Sequence, residues 1–311
     1  MAELKAKFKR PDAIPSRRDN PLSPEKAALG KVLFFDPRLS ASGTVSCSRC
    51  HDPALGWQDE FAKAVGHEGA IGRRRSPPVA NLAWASAFMW DGRAEDLETQ
   101  AALPIAAPEE MNMDPAQLPE VLDSIPGYAP LFEAAYGDPA ITTDRILAAL
   151  ATFVRTIVSD EAPFDRWIAG EKTAISDEAK RGFILFNTKA RCAKCHSGWR
   201  FTDDSFHDIG ISRGDLGRGA FVPPEIEVLQ HAFKTPGLRD VSRRQHLMHD
   251  GSLVSLGAAI DHYVNGTEPR PSLSPEFQRI QLDASERADL IAFLQTLTAP
   301  LSELRAPELP H

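Results

Sequence analysis

The chain has 311 residues, of which 42% are hydrophobic, and it carries a formal net charge of −8. This length suggests two domains rather than one, and the apolar content is enough for each to bury a core. The negative charge argues against nucleic acid and against an anionic membrane surface as partners, and no apolar run is long enough to span a bilayer.

The first predicted element is a helix that begins at Ser23, Pro24 and Glu25. The serine caps free N–H groups, the proline suits the first helical position, and the glutamate favours the positive end of the helix. The helix runs into the sequence GKVLF at residues 30–34. Before it, residues 1–18 are rich in charge and lack the apolar stretch of a signal peptide.

A C-x-x-C-H motif follows this helix at residues 47–51, and a second one occurs at residues 192–196. This motif is the attachment signature of a c-type haem: its thiols form thioethers with the porphyrin, and its histidine is the proximal iron ligand. Two complete motifs predict two covalently bound c-type haems. The residues concerned include all four cysteines of the chain: Cys47, Cys50, His51, Cys192, Cys195 and His196.

Other uses of cysteine pairs explain these motifs less well. A disulfide framework would not place a histidine after each pair, and a thioredoxin-like pair needs a βαβ context that the sequence lacks. A four-cysteine zinc site has no need of the histidines, and it is the alternative that the cysteines alone leave open.

The second half of the chain repeats the order of the first. Ser176, Asp177 and Glu178 begin a helix that runs into GFILF at residues 182–186, ahead of the second motif. Each half then closes with an amphipathic helix whose apolar residues share one face. These residues are Ile146, Leu147, Leu150, Phe153, Val154 and Ile157 in the first half, and Leu290, Ile291, Phe293, Leu294 and Leu297 in the second.

The repeated order of helix, C-x-x-C-H motif, loops and closing helix resembles a duplicated cytochrome c domain. No period-two strand pattern stands out, so the predicted fold class is all-α, with one covalent haem in each of two cytochrome c-like domains. We expect an N-terminal domain at residues 17–162 and a C-terminal domain at 170–300. Residues 160–175 are interpreted as a linker, and residues 301–311 as a tail.

Longer motifs place this repeat in a family. The first half contains LGKVLFFDPRLSASGTVSCSRCHDP, GHEGAIGRRRSPPVAN, WDGRAEDLETQA and PEEM, and the second contains FKTPGLRDVS, HDGS and LGAAIDHYVNG. These motifs resemble those of the bacterial di-haem cytochrome c peroxidases and their MauG-type relatives. The resemblance extends over about residues 20–299, which is nearly the whole chain.

The resemblance implies roles for particular residues. In this family the first haem reacts with hydrogen peroxide, the second is a six-coordinate electron relay, and a tryptophan lies between them. His51 would therefore be the proximal ligand of the peroxidatic haem, His196 would hold the relay haem, and Trp90 matches the bridging tryptophan. Gln100 and Glu110 match the glutamine and the glutamate on the distal side of the first haem.

The chemistry of peroxide cleavage suits these residue types. A proton must move from the oxygen nearer the iron to the leaving oxygen, and a carboxylate such as Glu110 can carry it. Gln100 can orient the peroxide by hydrogen bonding without a change of charge. Without the resemblance, Glu110 would be interpreted as a solvated loop acid, because Glu109 adjoins it.

The sixth iron ligands separate the two subtypes of the family. At the first haem, the peroxidases cap the resting iron with a loop histidine, for which His67 is the candidate, whereas MauG-type members leave this position open. Met111 and Met113 are alternatives that would make this haem an electron carrier, although their place directly after Glu110 argues against it.

At the second haem, the peroxidases use a methionine where this chain has Tyr263, fourteen residues beyond His249, and MauG-type members have a tyrosine there. A phenolate is a hard anionic donor that stabilises ferric and higher states of iron, whereas a thioether favours ferrous iron. Met248 is the alternative ligand, and His246 and His249 are further candidates.

One position departs from the family pattern. The family often holds a calcium between the haems through an asparagine side chain, and the matching position here is Arg75. An arginine cannot ligate calcium, so calcium is a doubtful cofactor for this chain. Its presence would require a water, Asn81 or another group in place of the asparagine; otherwise the guanidinium itself occupies the site.

The resemblance implies an oxidoreductase that reacts with hydrogen peroxide to form a high-valent haem state. With Tyr263, we expect a MauG-like enzyme that oxidises a partner protein, for example at tryptophan, by long-range electron transfer. The alternatives are a peroxidase that takes electrons from a small cytochrome or cupredoxin, and a non-enzymatic di-haem electron carrier. Because c-type haem is attached outside the cytoplasm, we expect a periplasmic protein whose signal peptide has been removed.

Overall fold

The computed structural model describes residues 1–212, 214–300 and 304–311, and these form two compact units. The first unit contains residues 13–88, 94–158 and 304–311. The second contains the described parts of residues 1–12, 89–93 and 159–302. The predicted domains at 17–162 and 170–300 assume contiguous stretches and stay predictions, since both compact units also include short segments from elsewhere in the chain.

Helices dominate the described residues, as the all-α prediction requires. A small antiparallel pair of strands, β1 Phe206–His207 and β2 Phe233–Lys234, was not predicted, because two-residue strands leave no period-two pattern. Each described helix falls short of the length and apolar character that crossing a bilayer demands. In chain order, the helices are α1 Ala2–Ala6, α2 Pro24–Phe35, α3 Cys47–Cys50, α4 Leu97–Ala106, α5 Leu118–Asp123, α6 Ala129–Tyr136, α7 Thr143–Thr156, α8 Pro163–Ala169, α9 Asp177–Asn187, α10 Leu256–Asn265 and α11 Ala284–Gln295.

Both predicted helix starts are confirmed by their caps. The N–H of Lys26 donates to Ser23 Oγ at 3.1 Å where α2 begins, and the N–H of Ala179 donates to Ser176 Oγ at 3.2 Å where α9 begins. Each bond satisfies one of the N–H groups that the first turn of a helix leaves without an internal partner. The repeats in both halves of the chain therefore begin with a helix that is capped by a serine side chain.

The first and closing helices of each repeat pack against each other, α2 against α7 and α9 against α11. A glycine lies at each crossing. A Cβ atom at Gly30 would lie 1.9 Å from the Ala149 carbonyl oxygen, and one at Gly182 would lie 2.0 Å from that of Asp289. Only glycine allows the helices to approach this closely, so the glycine in each repeated pattern has a packing role.

The core of the second unit is a cluster of phenylalanines that includes Phe8 from the N-terminal segment. The ring centroid of Phe8 lies 5.0 Å from that of Phe201 and 5.4 Å from that of Phe183. Residues 160–175, which the sequence suggested as a linker, contain α8, and its Phe164 and Trp167 are buried in the same cluster. These contacts make the N-terminal segment and α8 integral parts of the second unit.

The described part of the predicted tail, residues 304–311, packs on the first unit. The Arg38 guanidinium donates to the Pro310 carbonyl at 3.0 Å, and the N–H of Gly127 donates to the His311 carbonyl at 3.1 Å. The other tail residues, 301–303, lie outside the described residues. Arg38 also pairs with the buried carboxylate of Asp36, so the tail contacts an ion pair of this unit.

Candidate haem pockets

The first C-x-x-C-H motif forms a single helical turn, α3, with His51 at its C-terminal end. The N–H of His51 donates to the Cys47 carbonyl at 3.0 Å, which closes the turn. Cys47, Cys50 and His51 all line one cleft of about 660 Å³, counting the part open to solvent, whose walls also include Phe34 and Leu150. The local fold therefore brings both thiols and the imidazole to one largely apolar cleft.

Burial controls the charge of the groups in this pocket. It raises the pKa of the Cys47 thiol to about 12 and that of Cys50 to about 11. It also lowers the pKa of His51 to about 4, although the backbone carbonyls of Trp57 and Pro77 act in the opposite direction. His51 is consequently a neutral imidazole at neutral pH, which is the form that binds iron.

Gln100 and Glu110 line the same cleft as His51, as the resemblance implies. Gln100 lies on α4, which is capped by a hydrogen bond from the N–H of Thr99 to the Asp96 carboxylate at 2.8 Å. A turn after α4 carries Glu110, whose N–H donates to the Ala107 carbonyl at 3.0 Å. One helix and the turn that ends it therefore place an amide and a carboxylate in the wall of this pocket.

His67 makes a hydrogen bond to the backbone of Glu110. In the described structure it is not among the residues that line this cleft. Its N–H donates to the Glu110 carbonyl at 2.7 Å, while its side-chain Nδ1 is buried without a hydrogen-bond partner among the described residues. The preceding residue, Gly66, lines the pocket in its place. Of the two alternative methionines, Met111 lines the cleft and Met113 does not.

The second motif also forms a tight turn, in which the N–H of His196 donates to the Cys192 carbonyl at 2.8 Å. His196 Nδ1 lies 2.9 Å from the Phe201 carbonyl, so this nitrogen carries the proton and donates it to the oxygen. The Nε2 atom is thereby the nitrogen available for a metal, the arrangement that orients iron-binding histidines. Burial lowers the pKa of His196, with the Phe201 carbonyl opposing it, and raises that of the Cys192 thiol to about 12.

A cleft of about 910 Å³, again counting open space, contains Cys192, Cys195 and His196 in its walls. Both candidates for the sixth ligand, Tyr263 and Met248, line it as well. Tyr263 and Met248 therefore both remain candidates for the second ligand of this iron.

Tyr263 lies on α10, with its ring centroid 5.3 Å from that of Phe277. Burial raises the pKa of its phenol well above the usual range.

The two histidines offered as further ligands occupy different places. His249 lines the pocket and stacks on Phe233, with ring centroids 3.5 Å apart and an interplanar angle of 11°. His246 points its Nδ1 atom at the Gly251 carbonyl, 3.2 Å away, and is not among the lining residues in the described structure.

Trp90 is buried in the wall of this second pocket. It lies on the short segment 89–93, which belongs to the second unit, and its carbonyl accepts a hydrogen bond from the N–H of Lys234 at 2.8 Å. The Trp90 ring centroid is 6.4 Å from that of His249. The indole is thus held within the group of aromatic rings that surrounds the second motif.

His207 is a pocket residue for which the sequence suggested at most a surface position or a contact with a haem propionate. It lines the second cleft, where Nε2 contacts the Asp203 carboxylate at 2.8 Å and Nδ1 contacts Ser274 Oγ at 3.0 Å. The hydrogen bond with Asp203 is the main cause that raises the pKa of His207 to about 10. In the sequence, only the spacing of four residues between Asp203 and His207 hinted at this contact. Such a spacing brings side chains together in a helix, but these two residues lie outside the described helices.

Arg75, at the position of the family's calcium-binding asparagine, is buried in the first unit. Its guanidinium donates to the side-chain oxygen of Gln58 and to the carbonyl of Asp59, both at 3.3 Å, and to the carbonyl of Ser76 at 3.2 Å. These oxygens face a guanidinium rather than a free cation, so the first unit gives no support to calcium at this position. Asn81 is also buried, and its backbone N–H donates to the Ile157 carbonyl at 2.8 Å.

The residues of both pockets fit a covalently bound haem. Each pocket presents two thiols and a neutral imidazole in one largely apolar cleft, and at His196 the Phe201 carbonyl fixes the ring so that Nε2 is left for iron. Each cysteine pair lines the pocket of its own unit, which does not suit a four-cysteine zinc site. Two helical units with one such pocket each define a di-haem c-type cytochrome.

Comparisons with known proteins give the family. Residues 24–173 match the family described as di-haem cytochrome c peroxidase, and residues 179–298 match cytochrome c. The chain is 56% identical to the methylamine utilization protein MauG of Methylorubrum extorquens, over 100% of this chain and 88% of that protein. It is 34% identical to the cytochrome c551 peroxidase of Nitrosomonas europaea, over 95% of this chain and 86% of that protein.

The crystal structure of a MauG-like protein associated with microbial copper homeostasis has the same fold, with a TM-score of 0.84 and 28% identity over 94% of this chain and 95% of that one. The chain therefore belongs to the di-haem cytochrome c peroxidase and MauG family. It is a haem-dependent oxidoreductase with two c-type haems, and the predictions of fold class, cofactor and enzyme class are confirmed.

Proposed function

We propose that this protein is a MauG-like enzyme that uses hydrogen peroxide to oxidise a partner protein. In this proposal Cys47 and Cys50 would attach the first haem, and His51 would hold its iron. Cys192 and Cys195 would attach the second haem, and His196 would hold its iron. The observation that carries the haem assignment is the presence of both thiols and the imidazole of each motif in the wall of one cleft.

When bound, the first haem supplies the iron at which the peroxide O–O bond breaks. The carboxylate of Glu110 takes the proton from the oxygen nearer the iron and delivers it to the leaving oxygen, which departs as water. Gln100 donates a hydrogen bond that orients the peroxide in the cleft. Reduction of one hydrogen peroxide to two waters consumes two electrons and two protons, and the electrons come from the partner protein.

Tyr263 would be the second side chain, besides His196, to hold the iron of the second haem, with Met248 as the alternative. Both side chains line the cleft of the second motif. Burial raises the pKa of the Tyr263 phenol, so a ferric ion held there would have to supply the positive charge that favours the phenolate. The greater identity to a MauG protein than to a cytochrome c551 peroxidase, 56% against 34%, favours the tyrosine-ligated subtype.

Trp90 is proposed as the side chain that carries oxidising equivalents to the second haem. Its burial in the wall of the cleft, beside His249, supports this role.

Because c-type haem attachment takes place outside the cytoplasm, we infer a periplasmic location. His67 lies outside the lining of the first cleft in the described structure, so we do not propose it as a residue that would hold the first iron.

The second candidate function is a cytochrome c peroxidase that reduces hydrogen peroxide with electrons from a small cytochrome or cupredoxin. Met248 in the second pocket is the observation that favours it, because a thioether ligand would make this haem easier to reduce. A non-enzymatic electron carrier is disfavoured by membership of a family of peroxidases.

Steady-state turnover tests the proposal. The holoprotein is mixed with hydrogen peroxide and followed by its Soret absorption, first alone and then with a reduced c-type cytochrome in excess. In this proposal the protein should react with peroxide in its resting state, because no histidine would cap the first iron, and it should not sustain oxidation of the cytochrome. Rapid, sustained oxidation of the cytochrome that requires prior reduction of the protein would instead identify a peroxide-scavenging peroxidase.

A further inference from the structure

A surface loop of the second unit, residues 216–231, exposes an unusual amount of apolar surface. Leu216 is 46% exposed, Phe221 51%, Ile226 40% and Val228 49%. These are four of the ten large hydrophobic side chains that the described residues expose, and they occur within thirteen consecutive positions. Isolated apolar residues on a surface are normal, whereas exposed apolar residues that occur together are typical of interaction sites.

The loop has a defined shape. The N–H of His231 donates to the Leu216 carbonyl at 2.8 Å, and the N–H of Arg218 donates to the Ala232 carbonyl at 2.8 Å, so its two ends are joined. Gly217 has a φ of +54°, and a Cβ atom there would lie 2.2 Å from the Ala232 carbonyl oxygen, so only glycine permits this closure. The two helical turns of the loop, Arg218–Phe221 and Glu227–Leu229, pack against each other and so bring Phe221 and Val228 onto adjoining turns.

The base of the loop forms part of the second haem pocket. His231 lines the cleft that also contains His196 and Trp90. Arg218 donates to the carbonyl of Gly92 at 2.8 Å, two residues beyond Trp90. A protein seated on this loop would therefore lie directly outside the wall of the pocket through which the proposed electron transfer passes.

The outward charge of the loop is negative. Glu225 and Glu227 are exposed and flank Ile226, whereas the guanidinium of Arg218 is turned inward to backbone carbonyls, as is the imidazole of His231. The net charge of the chain, −8, adds attraction at longer range for a positively charged partner. Apolar side chains interleaved with carboxylates are complementary to an apolar patch bordered by lysine or arginine.

We propose that the loop 216–231 is the docking site for the redox partner, and that this partner is a protein whose apolar contact patch is ringed by basic side chains. The inference rests on the proposed function, since it names the surface through which the partner reaches the second haem. The contact is transient, as in other electron-transfer encounters, with apolar contacts at the centre and charge pairs at the rim.

The test measures the dissociation constant of the holoprotein for a c-type cytochrome whose exposed haem edge is ringed by lysines, by titration calorimetry at low ionic strength and at about 0.15 M salt. The variant Phe221→Ser/Val228→Ser should raise this constant about tenfold or more at both salt concentrations. The variant Glu225→Lys/Glu227→Lys should raise it mainly at low salt and flatten its salt dependence. Ile71→Ser and Val254→Ser, which replace side chains that are 69% and 66% exposed elsewhere, are the matched controls and should bind as wild type does.

Three results would overturn the docking site: no binding of the cytochrome by wild type, unchanged binding by both loop variants, or a wild-type dimer that Phe221→Ser/Val228→Ser dissociates. The last result would assign the loop to contact with a second copy of the chain. Reaction of each variant with peroxide in the absence of cytochrome is recorded separately by Soret absorption. Failure of that reaction in wild type contradicts the proposed function, whereas altered binding alone bears on the docking site.

Discussion

Gly66 lies so close to Glu110 that a Cβ atom at position 66 would come within 2.5 Å of the Glu110 carbonyl oxygen. The next residue, His67, donates its N–H to this same carbonyl at 2.7 Å. The loop that contains the sequence GHEG thus fixes the backbone of the residue proposed to move the proton. This loop therefore contributes to the first pocket by positioning Glu110 through backbone contacts.

The first prediction follows from this contact. Gly66→Ala should displace Glu110 and slow the reaction with hydrogen peroxide by up to about 10²-fold, because a shift of about 1 Å in a catalytic group can cost this much. Haem content should not change. Stopped-flow Soret spectroscopy measures the rate, and Gly214→Ala, at a glycine with open space around it, is the control. A wild-type rate in Gly66→Ala would show that the contact does not position Glu110.

The second prediction concerns the carboxylate itself. Glu110→Gln keeps the size of the side chain but cannot accept the proton, so we expect the reaction with peroxide to slow by roughly 10²–10⁴-fold. Glu109→Gln, which changes the adjacent acid, should have little effect. If Glu110→Gln reacts as fast as wild type with the same haem content, another group carries the proton.

The third prediction decides between the axial ligands of the second iron. Tyr263→Phe should open a coordination position without loss of haem, and Tyr263→Met should raise the reduction potential of this haem, because a thioether favours ferrous iron. Redox titration with electronic absorption spectroscopy measures both effects. Histidine–methionine coordination that persists in Tyr263→Phe and disappears in Met248→Ala would assign the ligand to Met248 and favour the peroxidase function.

The fourth prediction tests haem attachment. The variant Cys192→Ala/Cys195→Ala removes both thiols of the second motif, so its denatured chain should carry one haem mass where wild type carries two. Mass spectrometry under denaturing conditions makes the measurement. Haem that can be extracted from intact wild type into acidified acetone would contradict covalent attachment.

The fifth prediction is a pH dependence of stability in the first unit. Burial alone would raise the pKa of Asp36, but hydrogen bonds from Arg38 and Tyr128 outweigh it and hold the pKa below its ordinary value. The ionised carboxylate therefore stabilises the fold above about pH 3.9, the pKa of an unfolded aspartate, and this contribution is lost as pH falls through the lower folded pKa. Asp36→Asn should reduce the free energy of unfolding at pH 7 by roughly 1–3 kcal/mol.

The difference between Asp36→Asn and wild type should then shrink as the pH is lowered towards 3. Denaturant titrations of both proteins at several pH values measure it. Asp123→Asn, at an exposed position of the same unit, is the control. A difference that stays constant over this pH range would mean that Asp36 does not act through its charge.

The sequence predicted those features that local chemistry determines. The Ser23 and Ser176 caps act within one helical turn, and each C-x-x-C-H motif folds into a turn closed by a bond between its own residues. The resemblance to a family also implied that Gln100 and Glu110 lie near His51, and both line the cleft that contains it, although their roles stay predictions.

What the sequence did not predict depends on contacts between distant residues. Phe8 lies in a charged N-terminal stretch of the sequence, yet it is buried among phenylalanines that follow it by more than 150 positions. His67 and His207 are both loop histidines. Only the tertiary structure distinguishes them. His67 binds the backbone of Glu110 and does not line the first pocket, whereas His207 contacts Asp203 and Ser274 and lines the second pocket.

The division of the chain between the two units has a consequence for truncation. The second unit takes Phe8 into its core, and the carbonyls of Pro310 and His311 accept hydrogen bonds from residues of the first unit. Each unit therefore draws part of its packing from the opposite end of the chain. A cut between residues 158 and 159 would not yield two complete units, because the half that ends at 158 would keep Phe8 and the other half would keep residues 304–311.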